Sequence, residues 1–185
     1  MKLLGGVIPY NCKRCDLNLQ RKSIVWGDGW YDAPIAFIGE APGASEDEKG
    51  IAFCGASGRL LRNLIKSIGV NKYLFINIVK CRPPANRVPA PEEVRACRPY
   101  FELQLRKLNK NVVLVALGAT AWLGLTGEIC KVTKQRGMIS RTHFNVRNKA
   151  ILTYHPSYIL RNNVTEIKTN FLRDVQTAIK GGIRL

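Results

Sequence analysis

Long apolar runs are missing from this sequence. None approaches the ~18 consecutive apolar residues of a membrane-spanning helix, so no span is expected. The short apolar start Met1–Ile8 supplies neither a signal core nor a cleavage site before Cys12. The chain therefore reads as cytoplasmic, where cysteines hold metals more readily than they form disulfides. Repeats, low-complexity tracts and linkers are also lacking. With 46% apolar residues among 185, residues 1–185 read as a single domain large enough for its own hydrophobic core. Acidic residues are scarce: 13 Asp and Glu face 29 Lys and Arg, a net charge of +16. That balance favours a polyanionic partner, nucleic acid first, through phosphate neutralisation and counterion release. The basic residues are scattered, Arg82, Arg87, Arg136, Arg147 and Arg161 among them, which suits a folded basic face better than a tail.

What is present is organised around cysteine. Cys12 and Cys15 form a C-x-x-C pair, and Cys81 and Cys97 form a wider one. Two separated pairs can converge on a four-thiolate site, and spacing alone is compatible with zinc or with an iron–sulfur cluster. Cys54 and Cys130 fall outside the pattern and read as small, mostly buried residues.

Strand and helix signals alternate along the chain. Ile35–Gly39 reads as a buried strand that runs into a Gly/Pro-rich loop, and Leu60, Leu61, Leu64, Ile65 and Ile68 follow at helical spacing. Tyr73–Val79 is a second strand. After a proline-broken loop, Pro91 opens a helix whose Glu92 and Glu93 suit its positive end. Asn111–Leu117 and Ala150–Thr153 are two further strands, with a short helix from Ala119 and a basic, irregular stretch, residues 131–149, between them. Thr165–Lys180 closes the chain as a helix striped by Ile167, Phe171, Val175 and Ile179. The pattern predicts a mainly parallel four-stranded sheet between helices. In such sheets the site lies at the carboxyl ends of the strands, which would bring together Gly39 to Gly43, Asn77 onward, and His155.

Four motifs in order carry a family resemblance. Gly39-Glu-Ala-Pro-Gly43 with Glu46 and Phe53, Asn77-Ile-Val-Lys-Cys-Arg-Pro-Pro-Ala-Asn-Arg87, His155-Pro-Ser157 and the four-cysteine pattern resemble family 4 uracil-DNA glycosylases. These are the iron–sulfur members of their superfamily, of the bacterial and archaeal type. The resemblance covers Asn11 to about Arg173. It implies a three-layer α/β/α sandwich, excision of uracil from DNA at the start of base excision repair, and a 4Fe-4S cluster on Cys12, Cys15, Cys81 and Cys97. A monomer acting on single- or double-stranded uracil-containing DNA is expected, with contact to a replication clamp left open.

Cleaving the bond to uracil leaves an oxocarbenium-like sugar and a uracil anion. The site therefore needs donors toward the base, a positioned water and a dry pocket for a flipped nucleotide. By resemblance, His155 donates to the uracil carbonyl, and Glu40 and Asn86 hold or activate the water. The carboxamide of Asn77 both donates and accepts, matching uracil's pairing edge and not cytosine's, provided a fixed bond keeps it from flipping. Phe53 stacks on the base, while Gly39 and Gly43 allow close backbone approach. The best-studied glycosylase branch has an aspartate at the position of Ala41 and a bulky aromatic at that of Gly43. Glu46, or a neighbour in the same loop, is the candidate for excluding thymine in the aromatic's place. The segment Ser157–Arg161 is expected to enter the minor groove, with Ser157 and Arg161 on phosphates and an apolar side chain in the gap. The alternatives are a non-catalytic DNA-binding protein, a branch that traps abasic sites covalently, and a zinc-ribbon RNA protein. A binding module would not need Glu40, Asn86 and His155 together, and Lys134-Gln-Arg-Gly-Met138 does not resemble the trapping branch's His-bearing insertion.

Overall fold

The computed structural model describes residues 10–109, 111–144 and 149–180; Met1–Ile8 and Arg147 lie outside them. In chain order the strands are β1 (Asp28–Gly29), β2 (Ile35–Gly39), β3 (Leu74–Asn77), β4 (Val113–Leu117), β5 (Ile139–Arg141) and β6 (Lys149–Thr153). The helices are α1 (Ala44–Lys49), α2 (Ala56–Ser67), α3 (Pro91–Arg106), α4 (Ala119–Thr126), α5 (Val132–Gln135), α6 (Pro156–Asn162) and α7 (Thr165–Lys180).

The four expected strands form the parallel centre of the sheet in the order β3-β2-β4-β6. Their continuous apolar runs are buried on both faces, as helices on both sides require. Ala36, Ile38, Leu74, Ile76, Leu114, Ala116 and Leu152 point into one core with Phe101 and Leu105 of α3 and Trp122 and Leu125 of α4. The alternate residues, including Phe37, Phe75, Val115 and Ile151, point into the other with Leu61 and Ile65 of α2, Ile159 of α6 and Phe171 and Val175 of α7. This is a three-layer sandwich built on the period of two along each strand.

Among the described residues the sheet is six-stranded and mixed, not four-stranded. β1 pairs antiparallel with β3 at one edge and β5 antiparallel with β6 at the other. The two edge strands are two and three residues long, too short to carry an alternating pattern, and β5 occupies part of the stretch read as irregular. Three short helices were also hidden. α1 lies in the loop after β2, α5 in the stretch read as irregular, and α6 in the segment after His155. The stripe of α7 is corrected at one position: Ala178 is buried while Ile179 is exposed.

Sheet order explains where a site can form. The chain leaves β2 for α2 on one face, and leaves β4 for α4 on the other. β2 and β4 are neighbours, so the connections diverge between them and open a crevice at their carboxyl ends.

Candidate active site

At those carboxyl ends lies a cavity of about 300 Å³. Its walls include Glu40, Ala41, Gly43, Glu46, Phe53, Asn77, Asn86, His155, Ser157 and Arg161. Every site residue expected from the motifs, apart from the cysteines and Gly39, meets there. Gly39 lies just behind the wall: a Cβ on it would stand 2.3 Å from Asn77 Oδ1 and 2.6 Å from Phe53 Cζ. Only hydrogen fits between that amide and that ring. Pro42, Ser57, Pro83 and Arg87 also line the cavity and were not singled out by function; Pro42, Pro83 and Arg87 stand inside the quoted motifs.

Phe53 has φ of +54°, a left-handed conformation costing a non-glycine residue of order 1–3 kcal/mol. Neighbours hold it there. Its ring packs on Phe75 with centroids 4.9 Å apart, and Phe75 packs in turn on Phe37 and Tyr73. The Arg62 guanidinium donates to the carbonyls of Ala52 and Phe53 and lies over the Phe75 ring. An aromatic wall backed in this way presents a flat apolar face without moving. Asn77, beside it, is 3% exposed, and its backbone carbonyl accepts from the buried ammonium of Lys80. The fixed bond expected on its amide is not among the hydrogen bonds of the described residues, so Gly39 and Phe53 confine that side chain by contact.

His155 caps the N-terminus of α6 with its ring. Ser157 N–H donates to Nδ1 at 3.1 Å, and Ser157 Oγ stands 2.7 Å from the same nitrogen. A ring nitrogen facing a backbone N–H presents its lone pair, so the neutral ring carries its proton on Nε2. Burial, with Arg161 nearby, lowers the His155 pKa to about 4, which keeps the imidazole neutral near pH 7. The Ser157 hydroxyl thus faces the ring from the cavity wall.

Asn86 sits at the rim in the left-handed pair Ala85 (φ +51°) and Asn86 (φ +56°). Arg82 Nε donates to Asn86 Oδ1 at 2.8 Å. Arg87 grips the buried Glu93 of α3 through two hydrogen bonds of 2.8 and 2.6 Å, and Glu93 accepts from Ala90 N–H. That Arg87 pairing holds the Glu93 carboxyl below the usual range. Glu46, on α1, is buried, and its Oε1 accepts from Gly55 N–H at 2.8 Å at the start of α2. A Cβ on Gly43 would come within 2.8 Å of the other carboxylate oxygen. Gly43 therefore leaves the room that the Glu46 side chain fills.

In the segment after His155, Ile159 is fully buried, Tyr158 stacks on Tyr154, and Leu160 is 45% exposed. Leu160 is the apolar side chain of that segment offered to solvent. The basic stretch around Arg136 lies elsewhere, its guanidinium paired with Asp174 of α7.

Comparison with known proteins gives the family. The family model of the uracil DNA glycosylase superfamily matches residues 26–176. The chain belongs to that superfamily. Within it the type-4 branch is the match: a type-4 uracil-DNA glycosylase of Thermotoga maritima is 41% identical over 170 residues, covering 90% of this chain and 87% of the relative. The one from Pyrobaculum aerophilum is 36% identical over 179 residues, covering 94% and 90%. A type-5 uracil-DNA glycosylase of Thermus thermophilus, 37% identical, aligns with 51% of the chain and 50% of its own length.

The four cysteines of this uracil-DNA glycosylase superfamily member lie on the other side of the loop after β3. Cys12, Cys15, Cys81 and Cys97 share the walls of one small cavity with Arg14, Arg21, Lys80 and Tyr100. No carboxylate or histidine among the described residues shares those walls. Among the described residues no set of three Cys, His, Asp or Glu side chains forms a ready metal site. The donor set nonetheless fits a thiolate-bound cluster. Burial pushes the Cys81 thiol up to about 12 and raises Cys15 and Cys97, a cost that a cationic centre removes. Donors already face the sulfurs: Arg21 Nη1 stands 3.7 Å from Cys81 Sγ, and Lys80 N–H stands 3.3 Å from Cys97 Sγ. Cys54 and Cys130 are half-buried, more open than expected. Among the described residues no helix is long and apolar enough to cross a membrane.

Proposed function

We propose that this chain is a monofunctional uracil-DNA glycosylase, acting as a monomer on single- or double-stranded DNA. One observation carries the reading: a single cavity gathers a neutral histidine donor, an aromatic wall, a carboxamide and a carboxylate. In this reading uracil flips into the cavity against Phe53, gaining ~1–3 kcal/mol from stacking. Asn77 pairs with its edge, and Nε2–H of His155 donates to the carbonyl that gathers charge. The C1′–N1 bond breaks with its electron pair leaving on the base. A water held by Asn86 and Glu40 attacks C1′, and its proton passes to the carboxylate.

The same reading gives Glu46 the space beside uracil C5, where it excludes a methyl group. Leu160 fills the gap in the duplex, and Arg161 at the cavity rim meets phosphate. Cys12, Cys15, Cys81 and Cys97 would hold a 4Fe-4S cluster that ties the N-terminal segment to the β3 loop and α3. When bound, that cluster supplies structural cross-linking and no step of the hydrolysis.

The test is cleavage of an end-labelled oligonucleotide with one uracil after alkali treatment, with thymine and cytosine controls. Uracil-specific cleavage, lost in His155→Ala, is expected; thymine cleavage is expected to emerge in Glu46→Ala. No cleavage by protein with an intact cluster would leave a DNA-binding role instead.

A further inference from the structure

The strand end that sequence reasoning left unused is that of β4. Thr120, in the first turn of α4, donates its hydroxyl to Oε2 of Glu40. The two residues are 80 positions apart and belong to connections that leave neighbouring strands for opposite faces. Their contact therefore joins the two connections beside the crevice. Nearby, a Cβ on Gly118 would meet Cβ of His155 at 3.4 Å, so the β4 end adjoins the histidine as well.

Glu40 lines the cavity, and its backbone is anchored by Val79 N–H donating to its carbonyl at 3.0 Å. A glutamate ends in a broad, soft torsion, so the backbone anchor alone does not orient the carboxylate. The Thr120 hydroxyl supplies a second anchor at the far end of the side chain, through a charge-assisted hydrogen bond. A β-branched residue is stiff at χ1, which makes it a firmer donor than serine. Among the described residues no protein donor reaches Oε1.

We propose that Thr120 is a positioning residue for base excision. By holding Oε2 it leaves Oε1 directed at the attacking water. The proposal rests on reading Glu40 as the carboxylate that orients that water. Misplacing such a group slows the reaction without weakening substrate binding.

The experiment compares Thr120→Val, Thr120→Ser, Glu40→Ala and the double variant Glu40→Ala/Thr120→Val. Single-turnover excision is measured on a uracil oligonucleotide, and Kd on the same oligonucleotide carrying a 2′-fluoro uridine that resists cleavage. Thr120→Val is expected to lower the rate constant about tenfold with Kd unchanged, the size of one lost bond to a charged group. Thr120→Ser should restore most of the rate, and Thr120→Val should cost nothing further in the Glu40→Ala background. A slow Glu40→Ala with Thr120→Val at the wild-type rate would overturn the role of Thr120 alone. Equal losses in both backgrounds would overturn it too, by making Thr120 a structural residue. A wild-type rate for Glu40→Ala would instead remove the premise.

Discussion

Arg82 Nε and Asn86 Oδ1 are joined by a 2.8 Å hydrogen bond, which decides the end of the Asn86 amide that faces the cavity. With Oδ1 taken, Nδ2 is left to donate. In the proposed mechanism Nδ2 of Asn86 is the atom that donates to the attacking water, while Oδ1 is oriented by Arg82. Asn86→Asp, which offers no donor, should lower single-turnover excision about a hundredfold, and Arg82→Met about fivefold. An Asn86→Asp variant faster than Arg82→Met would reverse the assignment.

His155 sets a pH signature. Its folded pKa lies at about 4, below the ordinary 6.5, so the unfolded chain takes up this proton first as pH falls. Its contribution to stability is present above about pH 6.5 and is lost between there and about pH 4. The excision rate should show no inflection of a histidine near pH 6.5. Nitrogen-15 NMR of histidine-labelled protein should report Nε2 protonated and Nδ1 bare from pH 8 to pH 5. Protonation of both nitrogens at pH 6 would contradict this geometry.

Gly39→Ala tests the close packing behind the base. The added methyl must displace the Asn77 amide or the Phe53 ring, both on the cavity wall. Excision should fall at least a hundredfold while affinity for undamaged DNA holds. Free uracil should cease to inhibit the variant; retained inhibition would mean that the wall yields.

Leu160 and Ile159 make a paired test. Leu160→Ala removes an exposed side chain and should slow excision from duplex about tenfold more than from single strands. Ile159→Ala empties a buried site and should cost about 2–5 kcal/mol of stability, read as a lowered Tm. If Ile159→Ala alone produced the duplex-specific defect, the segment would have to turn over when it meets DNA.

Serine at Cys81 or Cys97 should abolish the visible absorbance near about 400 nm of an iron–sulfur protein and lower iron content and Tm together. Alanine at Cys54 or Cys130 should leave all three unchanged. Stoichiometric zinc in colourless wild-type protein would point to the other metal that spacing allows.

Much of this was legible because the parallel strands announce themselves as apolar runs and the motifs fall at their carboxyl ends. The edge strands were not, since Asp28–Gly29 and Ile139–Arg141 are extended by pairing with a neighbour and by little in their own composition. Thr120 was hidden for a related reason. Its partner lies on another strand, and a threonine opening a helix is an ordinary sight. Nor did the sequence reveal that the hydroxyl and the N–H of Ser157 both face the histidine ring two residues away. The choice between Ile159 and Leu160 depended on the rotation of α6, a seven-residue helix too short to reveal its buried face.

The short antiparallel strands that flank the sheet have a consequence for life on a crowded polymer. A parallel edge left open would be a template for a second copy, above all where many molecules gather along the same DNA. β1 ends after two residues, and β5 after three with Arg141 exposed at its end. Neither offers enough backbone for another strand to zip onto. Both edges of the sheet are therefore poor templates for a second copy of this chain.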